Sequence, residues 1–250
     1  MNKVGDIGQS GAGIIRFLPN LITALALCAG LISIRFSVDQ QFDLALSAIV
    51  ISALLDGLDG RIARKFSVSS RFGAEFDSLA DFLSFGVAPV VLLFFWAEDD
   101  MSALLSICLT VFVIASATRL ARFNVESGNP GAPWRKAYFT GLPTPSAALA
   151  VLLPVSIAAP SEASIQWVTA YTLLVALLMV STVPTFSGKT TGLAASRAAR
   201  TMLLAMAGAA MIGIFLYPRQ VLIAFTVAYL ATIPLSWLSF CHQRRLHGDA

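Results

Sequence analysis

Apolar stretches long enough to cross a bilayer recur along the chain, near residues 18–36, 42–58, 79–97, 102–118, 142–160, 165–186, 201–217 and 220–241. A helix needs roughly 20 apolar residues to span the hydrocarbon core. Within lipid the backbone has to satisfy its own hydrogen bonds, which makes helices the form such runs take. Only 12% of the residues are charged and 57% are hydrophobic, against about 25% charged in soluble domains. The pattern predicts an all-α integral membrane protein of about eight transmembrane helices.

Loop charge sets the orientation. With the N-terminus on the cytosolic side, alternation of the spans leaves only Arg35 and Arg219 on the far side, 2 of 17 Lys and Arg residues. Cytosolic loops carry such an excess of cations, so both termini are expected in the cytosol. Residues 1–17 read as a cytosolic tail, 18–241 as one transmembrane domain with a core at 18–186 and extra helices at 201–241, and 242–250 as a second tail. The expected location is the inner (cytoplasmic) membrane. Cys28, Cys108 and Cys241 lack metal-type spacing and read as small apolar residues. A net charge of +3 follows membrane topology and not a basic groove, so a nucleic-acid role has no support.

Against this background the stretch DGLDGRIARKFSVSSRFGAEFDSLAD, residues 56–81, is anomalous. Asp56 and Asp59 are spaced i, i+3 and Asp77 and Asp81 i, i+4, so each pair shares one helix face. Ionisable groups at membrane depth are costly and mark functional sites. Four carboxylates would balance two divalent cations, and oxygen-only ligands suit Mg²⁺, Mn²⁺ or Ca²⁺ rather than zinc. Paired hard cations serve displacement at phosphorus, and the nearby arginines suit phosphate oxygens. A proton or cation pathway is the competing reading, with an ion-coupled transporter as its outcome. That reading expects ionisable residues along a path across the membrane, whereas here they crowd toward one side.

The full spacing Asp56-x2-Asp59-Gly60-x2-Ala63-Arg64-x8-Gly73-x3-Asp77-x3-Asp81 resembles the signature of the CDP-alcohol phosphatidyltransferase family at every position. The resemblance implies that Asp56, Asp59, Asp77 and Asp81 ligate two divalent ions, Mg²⁺ or Mn²⁺. It implies that Asp81 is also the base that deprotonates the acceptor alcohol. Gly60, Ala63, Arg64, Ser70 and Gly73 would lie along the CDP-lipid. Asn20-Leu21-Ile22-Thr23 resembles the family's first-helix Asn-x-x-Thr element, placing Asn20 and Thr23 at the nucleotide. Asn20 after Pro19 can also cap a helix, and Ser70 can be an ordinary polar loop residue.

A second region, Arg119-x2-Arg122-Phe123-Asn124 followed by Phe139-x-Gly141-Leu142-Pro143-x-Pro145, resembles strings in the membrane-integral phosphatidylserine synthases of that family. The implied substrates are CDP-diacylglycerol and L-serine, with CMP released. Glycerol 3-phosphate, inositol phosphate or choline are the alternative acceptors. Arg119, Arg122 and Asn124 are the candidate acceptor or phosphate contacts, with positive-inside anchoring as the competing role for the arginines. Pro143 and Pro145 can start the fifth helix. The small residues Gly208, Ala209, Ala210 and Gly213, with the family resemblance, suggest a homodimer surrounded by membrane lipids.

Overall fold

The structure, a computed structural model, describes residues 7–66, 70–127, 138–186, 213–214 and 216–246, with backbone alone at 7–16, 63–66, 99, 127, 162 and 245–246. Its elements in chain order are α1 (Ile7–Val38), α2 (Phe42–Phe66), α3 (Arg71–Asp81), a π-helical turn (Phe82–Val87), α4 (Ala88–Trp96), a short 3-10 turn (Glu98–Asp100) and α5 (Ala103–Ser127). These are followed by β1 (Tyr138–Thr140), α6 (Thr144–Val151), α7 (Leu153–Ile157), α8 (Glu162–Val180), β2 (Pro184–Phe186) and α9 (Pro218–Leu246). The protein is a mostly helical, multi-pass membrane protein. Among the described residues, five helical stretches are long and apolar enough to cross a bilayer: Phe17–Val38, Arg71–Trp96, Ala103–Glu126, Ala163–Val180 and Pro218–Arg244.

Several expectations change in detail. The segment at 142–160 is two short helices, because Pro154 near the start of α7 has no N–H to continue the α6 ladder. The span expected at 201–217 falls largely outside the described residues, as do Gly208, Ala209, Ala210, Arg135, Lys136, Lys189, Arg197 and Arg200. The helix α1 begins at Ile7, inside the segment expected as a tail, and α9 runs on to Leu246. Asn20 therefore sits within α1 and caps nothing. The all-α expectation misses one antiparallel pair, in which Phe139 faces Thr185 and Thr140 faces Pro184.

Close helix contacts are made by small side chains and hydroxyls. Along the α1–α2 seam, Ser33 Oγ donates to Ala45 O at 2.9 Å and Ser52 Oγ to Ala26 O at 2.8 Å. A Cβ on Gly30 would fall 2.9 Å from Ser84 Cα, and one on Gly86 2.7 Å from Ser116 Oγ. Helices in lipid associate through such packing, since apolar burial gives them little preference for one another. Leu46, Ile49, Phe85, Leu92, Leu93 and Phe112 fill the interior.

The π turn has a local cause. Pro89 cannot donate to Phe85 O, and the preceding amide, Ala88 N–H, reaches back to Leu83 O across a widened turn. The turn follows Asp81 directly, so it separates the carboxylate-bearing α3 from the apolar α4.

The stretch from Phe139 to Pro145 is fixed by Gly141, whose φ of +78° lies in the left-handed region. Its N–H donates to Val183 O at 2.9 Å and its carbonyl accepts from Thr185 Oγ1 at 2.9 Å. Pro143 is the N-cap of α6 and Pro145 lies in its first turn, as the sequence suggests. A Cβ on Gly141 would approach Met179 O to 2.5 Å and Ser181 O to 2.9 Å. Gly141→Ala is expected to cost about 2 kcal/mol or more, combining backbone strain with overpacking. A lowered midpoint of thermal denaturation in detergent is the readout.

Candidate active site

The carboxylates converge because α1, α2 and α3 pack as a group. Asp56 lies 13 residues beyond Asp43 on α2, about 20 Å along the axis at ~1.5 Å per residue. Asp43 pairs with Arg219 at the opposite end of the bundle, and Gln40 donates to Glu98 nearby. Two polar ends are thus separated by an apolar middle, with the aspartate stretch at one of them.

One carboxylate oxygen each from Asp56, Asp59 and Asp77 lies within 4.8 Å of the other two. Asp59 is the most enclosed of them, at 4% exposure; Asp56, Asp77 and Asp81 are half-buried. Thr23 Oγ1, from α1, donates to Asp59 Oδ2 at 2.6 Å and also faces Pro19 O at 3.1 Å. A hydroxyl has one proton, and the short bond to a carboxylate is the stronger claim on it. The carboxyl of Asp81 lies beside that of Asp56 within hydrogen-bonding reach. An all-oxygen cluster this tight fits a hard divalent cation, and like charges held this close need one nearby.

Around this cluster, Ser70 caps α3, its Oγ accepting from Gly73 N at 3.0 Å. A Cβ on Gly73 would lie 2.9 Å from Asn20 Oδ1 and 3.1 Å from Ser70 Oγ. Asn20 and Ser70 therefore close directly on Gly73, and a side chain at position 73 would clash with Asn20. Gly60 is half-buried on the same helix end as Asp59. Ala63 and Arg64 continue α2, and their side chains lie outside the described residues.

The two arginines of the second region part company. Arg122 donates from Nη1 to Val180 O at 2.9 Å and from Nη2 to Thr140 O, Met179 O and Ser181 O at 3.1–3.3 Å. It closes the C-terminal carbonyls of α8 and ties them to β1. Arg119, only 7% exposed, donates from Nη1 to Thr144 Oγ1 at 3.0 Å. Its guanidinium carbon stands 5.3 Å from the Phe123 ring centroid and 5.9 Å from that of Phe139, contacts that attract a desolvated cation. It is in electrostatic contact with Asp81 and Asp56. Asn124 exchanges hydrogen bonds with Ser78 of α3 at 2.9 and 3.1 Å.

The sequence therefore places the aspartates, Thr23, Asn20, Ser70, Gly73 and Arg119 around one region, while Arg122 and Asn124 are engaged in joining helices. Thr144 and the rings of Phe123 and Phe139 surround Arg119, contacts that spacing alone does not single out. Their signal is positional, since Phe123 follows Arg122 directly, Phe139 lies two residues before the left-handed Gly141, and Thr144 stands between Pro143 and Pro145.

Residues 16–183 match the sequence profile of the CDP-alcohol phosphatidyltransferase family. The chain is 43% identical over 135 residues to a CDP-diacylglycerol–serine O-phosphatidyltransferase of Helicobacter pylori, covering 54% of this chain and 55% of that one. It is 30% identical over 240 residues to the enzyme of that name from Mycobacterium bovis, covering 92% and 80%. An archaetidylserine synthase of Methanothermobacter thermautotrophicus is 36% identical over 136 residues, covering 54% and 55%. The chain thus spans about half the length of the Helicobacter and Methanothermobacter relatives. With the matched residues enclosing the whole aspartate cluster, the chain belongs to the CDP-alcohol phosphatidyltransferase family.

Proposed function

We propose that this protein transfers a phosphatidyl group from CDP-diacylglycerol to the hydroxyl of L-serine, giving phosphatidylserine and CMP. The observation that carries the reading is the convergence of Asp56, Asp59 and Asp77 oxygens within 4.8 Å inside a chain of this family. The names of its serine-using relatives support the choice of acceptor.

Asp56, Asp59 and Asp77, with Asp81 beside them, would hold two divalent cations, Mg²⁺ or Mn²⁺. Bound there, the ions supply neutralisation of pyrophosphate charge as CMP departs. Asn20, Gly60, Ala63, Arg64, Ser70 and Gly73 receive the CDP group, and the bare backbone at Gly73 lets Asn20 and Ser70 come together there. Thr23 orients Asp59 through its hydroxyl. The serine hydroxyl attacks the lipid-side phosphorus, a new P–O bond forms, and the P–O bond to CMP breaks. Asp81 accepts the hydroxyl proton. Arg119 provides the cation nearest the acceptor, Arg122 and Asn124 hold its surroundings, and the phosphodiester product stays in the membrane.

The same proposal includes eight spans with both termini cytosolic, a single transmembrane domain over 18–241 with short cytosolic tails, and an inner-membrane location with the site on the cytosolic side. It includes a homodimer. The charge asymmetry of the loops supports the orientation.

The deciding experiment supplies purified protein with CDP-diacylglycerol, metal and a series of acceptors, and reads CMP release. L-serine is expected to give CMP; release with glycerol 3-phosphate and none with serine would overturn the acceptor. In Asp81→Asn, turnover is expected to fall at least ~100-fold while the CDP-lipid still binds. Asp56→Asn should instead weaken metal dependence and nucleotide binding together. Thr23→Val removes the hydroxyl that orients Asp59, and the metal concentration for half-maximal activity should rise roughly tenfold or more. Metal titration of the variant against the unaltered protein checks this.

A further inference from the structure

The inward face of α9 reads Leu222, Thr226, Tyr229, Ile233, Ser236 and Phe240, recurring at three- and four-residue steps. Leu222, Thr226 and Ser236 on this face are at most 2% exposed. The face is held in place from both ends: Thr226 Oγ1 donates to Leu149 O at 3.3 Å, and the hydroxyls of Tyr138 and Ser239 meet at 2.7 Å. Tyr229 lies between these ties. Its buried hydroxyl is close to Thr185 and Ser146 and in electrostatic contact with Arg119, yet completes no well-formed hydrogen bond. A buried hydroxyl without a partner is costly, and most buried polar groups have one.

Arg119 presents a similar surplus, with five N–H donors on its guanidinium and one described side-chain bond, to Thr144. A cation and a buried phenol hydroxyl in electrostatic contact form a donor set for an anion. Arg122, the neighbouring cation, is already engaged with four carbonyl oxygens. Among the described residues this leaves one guanidinium, itself in electrostatic contact with Asp81 and Asp56, and a single shared cation suits a carboxylate better than a phosphomonoester carrying nearly two charges at neutral pH.

We infer that Tyr229 is a specificity-determining residue whose hydroxyl, with the Arg119 guanidinium, seats the carboxylate of the amino-acid acceptor. The inference rests on the proposed serine transfer and deepens it. It also assigns a task to α9, which lies beyond the family match at 16–183. The shared region holds the CDP-lipid chemistry, and a helix outside it recognises the acceptor.

The test uses the full chain in detergent with CDP-diacylglycerol and metal, comparing L-serine with 2-aminoethanol, which keeps the amine and hydroxyl and lacks the carboxylate. The unaltered protein should use 2-aminoethanol at least ~100-fold less efficiently, and Tyr229→Phe should raise KM for serine roughly tenfold or more. The KM for CDP-diacylglycerol and kcat should stay close to their original values, and activity on 2-aminoethanol should not fall further. An unchanged serine KM in Tyr229→Phe would overturn the inference, as would parallel losses on both acceptors and the CDP-lipid. If that variant does not fold, the acceptor pair on the unaltered protein decides, because equal use of both excludes a carboxylate seat. Failure of serine with success of glycerol 3-phosphate is a separate result, visible before any variant is made, and it removes the proposed function as well.

Discussion

Acidic groups held together at the end of an apolar helix bundle are the condition on which this architecture turns. Each carboxylate repels its neighbours and loses hydration on entering the bundle. The protein meets that cost with position: α1, α2 and α3 approach through small side chains, and Thr23 on one helix grips Asp59 on the next. A larger residue at Gly73 would press on Asn20 and Ser70.

Much of this centre is legible in the sequence, and the reason is local. Spacings of three and four residues fix which side chains share a helix face, so the two aspartate pairs can be read before any tertiary contact is known. What the sequence hides depends on distant partners. Arg119 and Arg122 stand one turn apart and look equivalent; the carbonyls of α8 take one, while Thr144 and two aromatic rings surround the other. The strands at Tyr138–Thr140 and Pro184–Phe186 are too short to show alternation. Tyr229 is more than a hundred residues from Arg119 in the chain, and an apolar helix with one tyrosine carries no signal of its own.

The Phe139–Pro145 stretch illustrates how scaffold and site share residues. Gly141 adopts a conformation that brings its backbone against the end of α8, Arg122 fills the adjacent space, and the prolines launch α6 with Thr144 under Arg119. A string that resembles a substrate signature is, in its physical content, largely a way to aim one buried cation. Phe139 belongs to both roles, since its backbone pairs with β2 while its ring faces Arg119.

The π turn after Asp81 sets the rotational phase between two halves of one continuous membrane helix. Asp77 and Asp81 belong to the half before it, and Leu92, Leu93 and Trp96 pack in the half after it. With the widened turn absorbing the mismatch at Pro89, each half can keep its own facing. The later half can therefore seat Leu92, Leu93 and Trp96 in the apolar interior without setting which way the carboxylates face. The turn thereby acts as a joint that lets the carboxylate-bearing half and the core-packed half each take the rotation its own contacts require.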